Sequence, residues 1–173
     1  PDLGRLHRIA CRLHEDRAEK GAQTYRRREL KVKVRDGAID VSMIDPNTPS
    51  RVLVSEMMIL ANRLAADHAS AIGLPVIFRT QEAPSEAPPD TAGLPEPLRF
   101  ELLRKTFQRS RLSVTPAPHA GLGLDAYTQM SSPIRRYADL VTERQFGAAL
   151  TGTTPPYDRD ELLHILTTAE IAE

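Results

Sequence analysis

Apolar positions along the 173-residue chain fall into blocks with different periods, and the periods predict the elements. Leu3, Leu6, Ile9, Ala10 and Leu13 recur at helical spacing, with Arg5, Arg8, Arg12 and Arg17 on other faces until Gly21 ends the pattern. Polarity then alternates over Leu30–Val34 and Ala38–Ile44 about Asp36-Gly37, a pair that favours a tight hairpin turn. A two-stranded ribbon is barely stable alone, so it should extend a larger sheet or pack on a helix. From about Arg51 to Ile72, Leu53, Met57, Leu60 and Leu64 form one stripe, with Val54, Met58, Ala61 and Ala65 beside it. That face is broad enough for a central core helix, closed by Gly73. Ser55, Glu56 and Asn62 lie along its edge, where buried polar groups are satisfied by their neighbours.

Pro75–Arg79 reads as a short strand, and 81–97, rich in Pro, Ala and Glu, as an exposed connection. Leu98, Leu102, Leu103 and Phe107 mark another helix with a basic outer face. Thr151–Pro156 is a turn, and the acids of Tyr157–Glu161 open a last helix as capping groups rather than as a magnesium site. The set predicts an α+β fold with helices packed on a small, mainly antiparallel sheet.

Composition narrows the classes. Lysine plus arginine equal aspartate plus glutamate at 23 each, so attraction to nucleic acid must come from clustering. Residues 1–35 carry eleven bases against five acids, including the Tyr25-Arg26-Arg27-Arg28 run, in which Tyr25 can stack on a base. A solvated loop is the other reading of that run. The single cysteine, Cys11, excludes an internal disulfide and predicts a buried thiol in a reducing cytoplasm. His7 and His14 share a face but lack a third ligand, so no metal site is expected within the chain. No apolar run reaches the roughly 18–20 residues that cross a bilayer, and no membrane association is expected. The chain starts on Pro-Asp and stops within a helical pattern, as a piece of a longer polypeptide would.

The most informative stretch is Ala126–Leu140. Ser132 reads as an N-cap and Pro133 as the first helical residue. Arg135 and Arg136 would then sit in a first turn that already carries partial positive charge, so something negative is expected opposite. Unpaired N–H groups, a hydroxyl and two guanidinium forks suit a phosphate. Tyr127 and Tyr137 bracket them, as single-stranded nucleic-acid sites require. Against this stands local pairing of both arginines with Asp139, worth about 0.3–0.5 kcal/mol on an exposed helix.

His119-Ala120-Gly121-Leu122-Gly123-Leu124-Asp125-Ala126-Tyr127, followed by Ser132-Pro133-Ile134-Arg135-Arg136-Tyr137 and Asp139-Leu140, resembles the C-terminal signature of the ribonuclease II family of exoribonucleases. Ser50–Asn62 resembles that family's apolar helix, which carries an acid early and ends in Ala-Asn. The resemblance implies that residues 1–173 are the later part of an RNB-type catalytic domain. It further implies that the parent degrades single-stranded RNA from the 3′ end to nucleoside 5′-monophosphates, with Mg²⁺ held by aspartates. Carried over by position, Arg135 is the arginine on the reacting phosphate. Ser132, Arg136, Tyr137 and Tyr127 match the same motif as supporting or RNA-contacting residues, and Glu56 joins them as an RNA contact. Two departures bear on base or sugar contacts: Gln129 stands where histidine is frequent, and Ser55 precedes Glu56 where some relatives have consecutive acids. No run of aspartates precedes Leu3, so the segment alone is expected to be inactive and to work with the rest of its own polypeptide, including further RNA-binding domains. Other readings are a non-catalytic single-stranded RNA-binding module, a serine hydrolase using Ser131 or Ser132 with His119, and a structural helical module. The hydrolase lacks a Gly-x-Ser-x-Gly elbow, and Pro133 removes an N–H that its oxyanion hole would use.

Overall fold

The computed structural model describes residues 2–23, 29–85 and 89–172. Helix α1 (Asp2–Glu19) leads to strands β1 (Glu29–Arg35) and β2 (Ala38–Ile44), then to helix α2 (Pro49–Ile72) and strand β3 (Phe78–Thr80). Helix α3 (Glu96–Thr106), strand β4 (Arg111–Ser113), a 3-10 turn (Ala120–Leu122), helix α4 (Tyr137–Thr151) and helix α5 (Arg159–Ala172) complete the order. The two sheets are β1–β2 and β3–β4, each antiparallel, so the fold is α+β as expected.

The hairpin turns where the sequence places it: Asp36 and Gly37 both take positive φ, 50° and 78°, and Arg35 faces Ala38. In this register Leu30, Val32 and Val34 lie opposite Met43, Val41 and Ile39, all on one face. Each of the six is between 56% and 71% exposed, so among the described residues nothing covers this face of the ribbon.

Strand β3 organises the rest. Its outer edge pairs with β4, and its other edge receives residues 127–128, with the Arg79 N–H donating to the Tyr127 carbonyl at 2.8 Å and the Thr128 hydroxyl to the Ile77 carbonyl at 2.5 Å. Alternation along residues 76–78 sends side chains to opposite sides. Val76 and Phe78 join Ala65, Ala66 and Ala69 of α2 and Phe146 of α4, whereas Ile77 joins Val114, Val141, Leu162 and Leu166. Each fully buried aliphatic side chain contributes about 1.5–3 kcal/mol. Between the clusters, buried Gln145 donates to the Pro75 and Tyr157 carbonyls and accepts the Tyr157 N–H, joining α4 to both flanking segments.

Three expectations need correction. The broad apolar face of α2 divides: Ala65, Ala66 and Ala69 are buried with Glu56 and Asn62, while Val54, Met58 and Leu64 face outward. Small residues let α2 approach the strand closely, so the buried stripe follows the alanines rather than the large side chains. Cys11 is half-buried, with its Sγ 3.6 Å from the His7 ring. Helix α4 begins at Tyr137, four residues later than Pro133. At α5, by contrast, the acids cap as expected: Asp158 accepts the Asp160 and Glu161 N–H groups, and Glu161 accepts the Asp158 N–H in return.

Candidate functional site

The late start of α4 follows from Asp139. Residues 132–136 form a separate turn in which the Ser132 carbonyl accepts the N–H groups of Arg135 and Arg136, and extended backbone at Arg136 (φ −125°, ψ 113°) divides it from the helix. Asp139, in the first turn of α4 and fully buried, takes the Ser132 N–H at 2.8 Å and both prongs of the Arg136 guanidinium at 2.8 and 2.6 Å. A carboxylate at a helix N-terminus is favoured there, and a two-point arginine pair with a buried acid is strong. Ser132 is therefore not an N-cap, and its N–H is not available to a ligand. Local pairing thus describes Arg136 but not Arg135. Arg135 projects from the turn into solvent, and no carboxylate among the described residues engages it. Tyr137, 55% exposed, follows at the head of α4.

The approach to this turn is held from the other side. Buried Asn62 of α2 donates to the Tyr127 hydroxyl at 3.0 Å and the Ser131 hydroxyl at 3.4 Å, and accepts the Met130 N–H at 3.1 Å. The Tyr127 ring is buried, edge-on to His119 with centroids 5.7 Å apart, so it is not a solvent-facing stacking platform within this chain. Arg79 reaches the same segment, donating to Gln129 at 3.3 Å and to Ser110 at 3.0 Å.

Glu56 lies deep on α2. Its carboxylate accepts two bonds from Arg17 of α1, at 2.6 and 3.1 Å, and meets the His14 ring at 2.9 Å. Burial pushes this carboxyl up, but hydrogen bonds from Arg17 and His14, aided by their charge, outweigh it and hold the pKa below the ordinary 4.5. Arg17 also donates to the Leu122 carbonyl at 3.0 Å, tying both helices to the 3-10 turn. Gly123 closes that turn at φ 63°, where a Cβ would lie 2.7 Å from the Arg17 carbonyl oxygen. Its role is thus close backbone approach. The apolar stripe of α1 sets Arg17 on another face, yet Arg17 is buried, because Ala10, His14 and Arg17 stand at i, i+4 and i+7, the spacing of a second inward face. Tyr25 lies outside the described residues.

His119 is buried, its Nδ1 has no hydrogen-bond partner among the described residues, and burial, assisted by Arg79, lowers its pKa from 6.5 to about 4. The folded chain keeps this ring neutral while the unfolded chain takes up a proton below pH 6.5. Stability should therefore fall as pH drops from 6.5 toward 4, by about 3 kcal/mol in total. Urea titrations at several pH values should show that slope, and His119→Phe should flatten it.

Among the described residues no three His, Cys, Asp or Glu side chains converge as a metal cluster, so the residues present do not fit a resident Mg²⁺. No described helix is long and apolar enough to cross a membrane.

This arrangement, a turn whose Arg136 is paired and whose Arg135 is unpaired among the described residues, falls within a region that matches the RNB domain family over residues 1–152. The chain belongs to that family of ribonuclease II-type exoribonucleases. It is 38% identical over 169 residues to an uncharacterised ribonuclease of Synechocystis, covering 96% of this chain and 25% of that protein. The fold is similar to an active-site mutant of the Dss1 exoribonuclease from Candida glabrata, with TM-score 0.81 and 23% identity over 95% of this chain and 23% of that one. Mycoplasma genitalium RNase R in complex with ribose-methylated single-stranded RNA gives TM-score 0.74 and 19% identity, over 95% of this chain and 31% of that one. The chain thus spans about a quarter of the Synechocystis relative's length. The family match stops at 152, but α5 beyond it supplies Leu162 and Leu166 to the core.

Proposed function

We propose that the polypeptide carrying this chain is a 3′-to-5′ hydrolytic exoribonuclease that acts on single-stranded RNA and releases nucleoside 5′-monophosphates. The observation that carries the proposal is the exposed Arg135 beside an Arg136 committed to Asp139: a single cation aimed outward from a turn fixed at both ends. A guanidinium so placed holds an oxygen of the reacting phosphodiester and stabilises the charge that develops as the bond breaks. Membership of the RNB family and the likeness to a RNase R described with RNA support the same substrate class. Tyr137 offers an exposed ring for a neighbouring nucleotide, and Tyr25 is proposed as a further stacking contact. Ser132, Arg136, Tyr127 and Glu56 contribute by shaping the surface that meets the RNA. Mg²⁺, which would supply the activated water, is assigned to carboxylates elsewhere in the polypeptide, since no cluster among the described residues fits it. The exposed aliphatic face of the β1–β2 ribbon supports further chain of the same polypeptide packing there, as the greater length of the relatives allows. The reading places the protein in the cytoplasm.

The test is a gel assay of the complete polypeptide on 5′-labelled single-stranded RNA with Mg²⁺ or EDTA. A Mg²⁺-dependent ladder ending in short products is expected. RNA retained without cleavage would instead establish a non-catalytic binding module.

A further inference from the structure

We propose that Asn62 is a positioning residue for Arg135, an inference that rests on the exoribonuclease reading above. Asn62 is 2% exposed and sits on α2, which Ala65, Ala66 and Ala69 anchor in the core three to seven residues further on. A side-chain amide offers donors on nitrogen and an acceptor on oxygen, and a buried one needs partners for both. Here every partner belongs to one five-residue segment: the Tyr127 hydroxyl, the Met130 N–H and the Ser131 hydroxyl. The next residue, Ser132, has its N–H fixed by Asp139. Residues 130, 131 and 132 are therefore pinned in succession by two buried side chains from different helices.

The two clamps meet at the Ser131 hydroxyl. Asn62 reaches it from α2 at 3.4 Å, and Arg136, itself held by Asp139, reaches it from the other side at 3.4 Å. Arg135 lies four residues beyond this junction on a turn whose other bonds close on the Ser132 carbonyl. A guanidinium on an exposed turn has no packing of its own to fix it, so its placement is that of the backbone beneath. Removing Asn62 frees one end of that backbone and leaves the cation in place chemically but loose in position. Since Arg135 is assigned to charge that develops during bond breaking, looseness should slow the chemical step more than it weakens binding.

The experiment uses the complete polypeptide and follows steady-state hydrolysis of labelled single-stranded RNA by wild type, Asn62→Leu, Arg135→Ala and the double variant. Asn62→Leu is expected to lower kcat by about 10–100-fold with KM changed less than about threefold, the pattern of an interaction made in the transition state. The double variant should be no slower than Arg135→Ala alone, because Asn62 acts through that arginine. A merely structural role would make the two defects multiply, which overturns the proposal, as does a wild-type kcat for Asn62→Leu. Should Asn62→Leu fail to fold, Asn62→Ala, which removes the amide without adding bulk or charge, carries the same cycle with the same outcomes. An active wild type with an additive cycle sinks this inference alone, whereas a wild type without hydrolysis sinks the functional reading and this inference with it.

Discussion

Arg135→Ala in the complete polypeptide is expected to slow RNA hydrolysis by about 10²–10³-fold while leaving RNA affinity within a few-fold. The loss should be large because Arg136 cannot take its place. Arg136, the nearest candidate, has its fork occupied by a fully buried carboxylate, and turning it outward would strand the Asp139 charge without its pair. Affinity should survive because an exoribonuclease binds RNA through many contacts along the strand, of which one phosphate is a small share. Arg135→Lys should recover part of the rate, since an ammonium supplies the charge without planar two-point geometry. Single-turnover kinetics on a short labelled RNA, with binding measured in EDTA, separates the two effects. Equal turnover by Arg135→Ala would remove this residue from the chemistry.

The same turn shows how far the chain could be read before it was folded. Where local chemistry dictates structure, the reading holds: Asp36-Gly37 makes the hairpin, Gly73 ends α2 in left-handed conformation, and Asp158 with Glu161 caps α5. It fails where a side chain seven residues away decides the outcome. Ser-Pro normally opens a helix, but Asp139 captures the Ser132 N–H and moves the start to Tyr137. Strand β4, only three residues long, has no period of its own and exists because β3 presents an edge to it. In α2 the largest apolar residues were the natural choice for the buried face, yet the alanines occupy it because they allow close approach. Of the candidate site, the arginine pair was legible as a motif; which arginine stays free was not, because that depends on Asp139 being buried.

The largest loss of stability should come from splitting the Arg17–Glu56 pair. Replacing Arg17 by Met takes two charge-assisted bonds from a carboxylate that is 1% exposed, and it also removes the bond to the Leu122 carbonyl. Breaking a buried pair from one side costs about 3–5 kcal/mol, far more than an exposed ion pair contributes. For a chain of this size that corresponds to a fall in Tm of about 6–20 °C, which calorimetry would register. Removing both partners together, Arg17→Met with Glu56→Leu, should recover much of the loss, since no uncompensated charge then remains buried. The pair also sets a pH dependence whose direction follows from the lowered Glu56 pKa. The folded carboxyl gives up its proton more readily than the unfolded one, so the pair stabilises the fold fully above about pH 4.5 and ceases to do so as pH falls through the depressed folded value. In the double variant this acid-side loss should disappear, while the separate slope between pH 6.5 and 4 that belongs to His119 should persist. Were Arg17→Met to melt with wild type, α1 would not be fastened through this pair.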